Sequence, residues 1–321
     1  MRDFEFPSCF GENGVQVADA SSSCSNLSSV SKSSQNSVTC LYKSRLFGKS
    51  CLIAVIWSRN LMGHCVSVEI DDVSSYNCIC KVDVKPSLFS KRKGSKCLQL
   101  LGAINGGVEV YWDLSSAKFG PGPEPVEGYY IAVVCKKEMV LAVGDLREEA
   151  LKKSGAFSNS IFSNAALISK REHILGKRVF TTKAQFCDGG KIHDLEIEFD
   201  SGGGGGGGGG DGGGDPGLVV RIDRKTAMRV VHLRWKFRGN CAVTVDGMPV
   251  EVYWDVHNWL FGSCVGSAVF MFRSEKVAGW GGGSPMLSGC RELGLSTSTS
   301  WSFRDAELPG FCLFLYAWKS E

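Results

Sequence analysis

Four carboxylates raise the question of chemistry first. Glu109 and Asp113 stand four residues apart, and Glu251 and Asp255 repeat that spacing. Two acids facing each other across a cleft are the equipment of a glycosidase, one protonating the leaving group while the other attacks or activates water. Here, however, both pairs lie inside one repeated hexapeptide, Val-Glu-Val-Tyr-Trp-Asp, at residues 108–113 and 250–255. Each copy leads to a Phe-Gly pair, Phe119-Gly120 and Phe261-Gly262. A six-residue match in one chain points to duplicated architecture before it points to catalysis. Glu109, Trp112, Asp113, Glu251, Trp254 and Asp255 are therefore read as a structural signature, the acids pairing with cations or lying on an outward sheet face. A carbohydrate-active or lectin-like use of the acids is the alternative.

Binding chemistry is the second candidate. Lys91, Arg92, Lys93 and Lys96 crowd a segment between Phe89 and Leu98 that reads as an exposed turn between strands. Converging cations of this kind suit the phosphates of a lipid headgroup or a nucleic acid. The ordinary alternative is a solvated basic turn. A second basic stretch, Arg221, Arg224, Lys225, Arg229, Arg234, Lys236 and Arg238, partly alternates with Val230, Leu233, Trp235 and Phe237. A stacking platform for single strands needs exposed rings; at this spacing Trp235 and Phe237 are expected in the core instead.

Other reactive arrangements are missing from the sequence. The histidines, at positions 64, 173, 193, 232 and 257, form no His-Glu-x-x-His helix and no close pair. There is no Gly-x-Ser-x-Gly elbow. Gly48-Lys49-Ser50 resembles the end of a phosphate loop, but Lys43 stands where that loop needs glycine. Cys78 and Cys80 have no second pair at metal-ligand spacing, so the 14 cysteines read as reduced, mostly buried thiols. No cofactor, metal or catalytic residue is expected.

The elements that must carry these residues follow from periodicity. The 321 residues hold enough apolar side chains for a sizeable core, and a net charge of +3 exerts only a weak pull on anionic partners. Residues 1–37, rich in Ser and Asn, are expected to stay disordered, and so is the glycine tract at 201–217. Strand-length alternation recurs at 38–42, 52–57, 66–70, 79–84, 98–101, 108–112, 129–135 and 139–143. It returns at 179–186, 195–199, 218–222, 230–237, 242–245, 250–254, 268–272 and 311–318. Asp145 and Glu148 have capping-box spacing, predicting a short helix to about Lys153. The fold class is all-β: an antiparallel β-sandwich or barrel of two related halves, about 38–144 and 178–321, joined by that helix. In each hexapeptide the valines and Trp112 or Trp254 should face the core.

Several longer motifs carry a resemblance. They are Asn60-Leu61-Met62-Gly63, Lys81-Val82-Asp83-Val84-Lys85-Pro86, the segment 88–94, Tyr111-Trp112-Asp113-Leu114-Ser115-Ser116-Ala117-Lys118-Phe119-Gly120, and Trp235-Lys236-Phe237-Arg238-Gly239-Asn240. Over at least residues 38–272 the chain resembles the plant DUF868 family, a domain of unknown function. The resemblance implies a plant origin and brings no catalytic residue. The family pattern lacks the long glycine tract.

The reading from sequence is thus a non-catalytic binding module that meets a partner protein or an anionic ligand through its loops and the basic turn; nucleic acid is not the expected partner, though the composition does not exclude it. A carrier of a small apolar ligand is a further alternative. No apolar run is long enough to span a bilayer and no leader is expected, so the location is cytoplasmic, with nuclear access open.

Overall fold

Alternation of apolar and polar residues puts nearly every described segment into a strand. The computed structural model describes residues 15–17, 34–61, 63–73, 78–84, 92–99, 107–157, 165–187, 190–200, 215–262, 266–274 and 310–319. The first part of the chain forms β1 (Val15–Val17), β2 (Ser34–Leu46), β3 (Lys49–Asn60), β4 (Gly63–Asp72), β5 (Cys78–Val84), β6 (Lys93–Gln99) and β7 (Gly107–Asp113). The short β8 (Lys118–Phe119) and β9 (Pro125–Glu127) precede β10 (Tyr130–Cys135), β11 (Glu138–Gly144) and helix α1 (Arg147–Ser154). Then come β12 (Ala166–Gly176), β13 (Val179–Gln185), β14 (Ile192–Asp200), β15 (Gly217–Ile222), β16 (Lys225–Val230), β17 (Arg238–Val245) and β18 (Met248–Asp255). Helix α2 (His257–Phe261), β19 (Ser267–Ser274) and β20 (Phe311–Lys319) complete the set.

Three main sheets result. A nine-stranded sheet runs β17-β18-β19-β20-β12-β2-β3-β4-β5. A four-stranded sheet, β11-β10-β7-β6, packs on one half of it, and valines and leucines of β2 to β5 meet those of β7, β10 and β11 in one core. A five-stranded sheet, β1-β16-β15-β14-β13, packs on the other half around a second core containing Trp254, Trp259 and five buried phenylalanines. The architecture is all-β, with open sheets and no closed barrel among the described strands. Two-residue turns with both central φ angles positive close several hairpins: Phe47-Gly48, Lys136-Lys137, Asp223-Arg224 and Asp246-Gly247. That geometry matches the twist of the strands it joins.

Strand β12 joins the two sandwiches. It pairs antiparallel with β2 and parallel with β20, the one parallel ladder in the described sheets. Its core-facing residues include charges. Glu172 is fully buried, Lys170 Nζ lies 3.0 Å from Glu172 Oε1 and 3.2 Å from Glu124 Oε2, and the Thr182 hydroxyl donates to Glu172. Burial pulls the Lys170 pKa down, but the carboxylates of Glu172 and Glu124 outweigh it and hold the ammonium above the ordinary lysine value. The network thus draws on the loop before β9, on β12 and on β13.

A second clamp ties the two layers of the later sandwich. Buried His193 on β14 places Nδ1 3.0 Å from Asp223 Oδ2 in the β15–β16 turn and Nε2 3.0 Å from Asp246 Oδ2 in the β17–β18 turn. Asp223 also accepts from Lys191 at 2.8 Å and from the Asp194 amide at 3.0 Å. The Lys191 hydrogen bond, followed by His193 and that amide, holds its carboxyl well below the usual carboxylate range.

The two hexapeptide strands occupy matching registers. Gly94 of β6 faces Trp112 of β7, and Gly239 of β17 faces Trp254 of β18. A Cβ on Gly94 would sit 2.9 Å from the indole, and one on Gly239 only 2.4 Å. Glycine is needed at both positions because a ring lies over each.

Residues 15–17 pair with β16 and β2 begins at Ser34; the rest of the expected Ser-rich tail, residues 1–14 and 18–33, lies outside the described residues. Of the glycine tract, 201–214 lies outside them, while Gly217 opens β15. The strand expected over 230–237 ends at Val230 and gives way to a turn in which Leu233 N–H donates to Pro216 O. Asp145 does not cap α1. Its carboxylate accepts from the Gly128 and Tyr129 amides at 2.8 and 3.0 Å, leaving Leu146 at the N-cap without a side-chain bond. The second helix, α2, and strand β12 were not anticipated.

Three outcomes follow. Lys170→Met strands buried Glu172 and should lower the unfolding free energy by about 3–5 kcal/mol in urea titration. Gly239→Ala should cost about 1–3 kcal/mol and more than Gly94→Ala, since its Cβ meets the indole at shorter range. Asp223 ionises below an unfolded aspartate at about 3.9, so its contribution is complete above about pH 4 and is lost as pH falls through its folded pKa. The stability gap between wild type and Asp223→Asn should therefore narrow in acid; a gap constant with pH would contradict the clamp.

Candidate functional site

The four acids of the hexapeptides are each held by a neighbour. On β7, Glu109, Tyr111 and Asp113 share the face opposite buried Val108 and Val110. Tyr111 donates its hydroxyl to Glu109, which pushes the phenol pKa up to about 12. Asp113 pairs with Lys93 and accepts from the Ser115 amide at 3.0 Å. Burial pushes the Asp113 carboxyl up, but Lys93 and Ser115 outweigh it and keep the pKa below the ordinary value. On β18 the pattern recurs. Tyr253 donates to Glu251 at 2.9 Å, Arg238 Nε donates to Asp255 at 2.9 Å, and the His257 amide donates to Asp255 at 3.1 Å. Glu251 also meets Arg273. These carboxylates act as acceptors for strand-end amides and as partners for cations, and Trp112 and Trp254 lean on the two cores.

The basic turn is not a turn where it is described. Lys91 lies outside the described residues. Lys93 and Lys96 lie on β6, opposite Asp113 and Val110, and Arg92 immediately precedes that strand, its carbonyl accepting from the Leu114 amide at 2.7 Å. The Lys93–Asp113 pair and the glycine under Trp112 fix this register, so one of the cations counted toward a ligand is already committed. Arg92 and Lys96 remain exposed.

A different face brings rings and cations together. In the turn between β16 and β17, Trp235 is 83% exposed rather than buried. Its amide donates to His232 O at 2.9 Å, in a turn where His232 takes a φ of 57° and meets Asp215 at 2.9 Å. The next ring, Phe237, reaches the core edge and lies 5.3 Å from His257 and 6.0 Å from Phe261. Arg238 stacks over it at 5.5 Å. Phe261 itself is 53% exposed. Arg234 is exposed, and neither it nor Lys236 makes an ion pair among the described residues. The Lys236 carbonyl accepts from Trp254 Nε1 at 2.9 Å, and the Val256 amide donates to Phe237 O at 2.8 Å, so the hexapeptide strand itself shapes this turn. The other members of the basic stretch are partly spent: Arg221 binds Glu196 and Glu198, and Arg229 binds Asp200.

The remaining reactive residues are dispersed. His64 stacks on Phe119 at 3.8 Å, and His173 accepts from Trp318. Among the described residues no group of three His, Cys, Asp or Glu could hold a metal ion, and no disulfide links the cysteines. No helix among them is long and apolar enough to cross a membrane.

Comparison with known proteins gives one result. No curated protein and no solved structure matches the chain. A family of plant proteins of unknown function, DUF868, matches it over residues 33–319. With nearly the whole described fold inside that match, the chain belongs to the DUF868 family of plant proteins of unknown function.

Proposed function

We propose that the chain is a non-catalytic recognition module that binds an anionic partner through the turn between β16 and β17. The carrying observation is Trp235, exposed and flanked by Arg234 and Lys236. A bare indole on a surface is worth little to stability and much to an interface, where tryptophan and arginine supply most of the binding energy. Phe261 and His257 extend the apolar part, and the nearby cations favour phosphate or carboxylate groups. Single-stranded nucleic acid combines flat bases with phosphates and fits this face best.

The same site has a counterpart that supports reading the chain as two related halves. Lys93-Gly94 facing Trp112-Asp113 corresponds to Arg238-Gly239 facing Trp254-Asp255. By that register Arg92 and Lys93 correspond to Phe237 and Arg238, while the counterparts of Arg234, Trp235 and Lys236 lie outside the described residues. The halves differ in the residues around that position, which is where duplicated folds diverge in recognition.

The test is fluorescence anisotropy of a labelled oligo(dT) and a labelled polyglutamate peptide at low salt. The oligonucleotide should bind with an affinity that falls steeply as salt rises, and Trp235→Ala should weaken it by about tenfold or more. Binding to polyglutamate alone would redirect the assignment to an acidic protein. Binding to neither, or binding indifferent to Trp235→Ala, would overturn it.

A further inference from the structure

Strand β17 ends the nine-stranded sheet, and its outer edge carries none of the usual protection. Charges, prolines and bulges are how sheets keep their edges from pairing with other chains. The other edges of the three main sheets have such guards: Lys81 and Asp83 on β5, Lys93 and Lys96 on β6, Glu138 on β11 and Lys183 on β13, while β1 is only three residues long. From Gly239 to Val245, β17 has no charged residue and no proline, and its ladder with β18 runs without a bulge.

The turn that follows sets which backbone groups point outward. Asp246 and Gly247 have φ angles of 49° and 79°, so Val245 and Met248 flank a two-residue turn and form its closing hydrogen-bonded pair. Bonded and non-bonded pairs alternate along an antiparallel ladder. Val243, Cys241 and Gly239 therefore also bond to β18, while the N–H and C=O groups of Asn240, Ala242 and Thr244 point away from it, along the edge. These three residues are exposed, and no backbone partner for them occurs among the described residues. Their side chains share the outer face, because Val243 and Val245 between and beyond them are buried in the core.

This edge fits its own copy. Antiparallel pairing about a two-fold axis at Ala242 sets Ala242 opposite Ala242 of the second copy and Asn240 opposite its Thr244, each pair exchanging both backbone hydrogen bonds. The same register brings Arg238, at one end of the uncharged run, opposite Asp246 of the second copy, just past the other end. Both side chains are about half exposed, and each keeps its own intramolecular partner, Asp255 or His193. Opposite charges thus border the seam at both ends, and no like pair meets across it.

We propose that two chains join edge to edge through β17 as a symmetric dimer, their nine-stranded sheets becoming one. A two-fold contact uses both unprotected edges and leaves the protected ones outside, so assembly stops at two chains. The interface is independent of the Trp235 reading, since it rests on backbone groups of β17 and needs no nucleic acid.

Sedimentation velocity of the full chain under reducing conditions tests this. The wild type should dimerise with a Kd of about 1–100 µM, in keeping with a contact of small area. Ala242→Lys and Ala242→Glu each change an exposed residue, and each alone should sediment as a folded monomer, because like charges then face each other across the axis. An equimolar mixture of the two should recover the dimer, which neither misfolding nor a different interface would produce. A wild type still monomeric at about 500 µM, an Ala242→Lys variant that dimerises as tightly as wild type, or a mixture that stays monomeric would each overturn the assignment.

Discussion

A buried ion pair sits where the two sandwiches join, and the rest of the molecule is arranged around it. Lys170 and Glu172 point from β12 into the interior between the two cores, a place where an unpartnered charge is costly. Only one arrangement supplies what they need: Glu124 from the loop before β9, Thr182 from β13, and β12 itself between β2 and β20. A purely apolar strand at this position would tolerate sliding by two residues; the charged one does not, because every slip leaves a carboxylate or an ammonium without its partner. The nine-stranded sheet is continuous because this strand has one register.

Away from that junction each sandwich is held by the same local device, an indole over a glycine beside a cation–carboxylate pair. The consequence for function is subtractive. Asp113, Asp255, Glu109 and Glu251 are the residues that look most like catalytic acids, and they are engaged in setting strand ends and registers. What differs between the halves is the surface around them, including the turn between β16 and β17 that exposes Trp235.

The parts that local pattern could reveal were legible. Val108, Val110, Val250 and Val252 alternate with polar residues and are fully buried, because a period of two puts one apolar face on a core. The DUF868 motifs, which depend on runs of identical residues, were also readable. Strand β12 was not. With Lys170, Arg171 and Glu172 in succession it breaks the apolar alternation that marks a strand, and the pairing that satisfies those charges comes from residues far away in the chain. The strand placement of Lys93 was hidden for a related reason: its partner Asp113 lies twenty positions on, and nothing within the basic cluster announces it. Asp145 had the spacing of a helix cap, but two amides at Gly128 and Tyr129 competed for its carboxylate and won.

Sequence by itself determined the all-β character, the core-facing sides of most strands, the two hexapeptide strands and the family. Tertiary structure alone decided that Trp235 faces water, because the chain leaves the sheet at Val230 and bends at His232 instead of continuing the alternation. It also decided that His173 and Trp318, 145 residues apart, meet through a hydrogen bond. Periodicity encodes which side of a strand is apolar, and that is local. Which strand lies alongside, and so which side chains meet, is set by long-range pairing that no window of neighbouring residues contains.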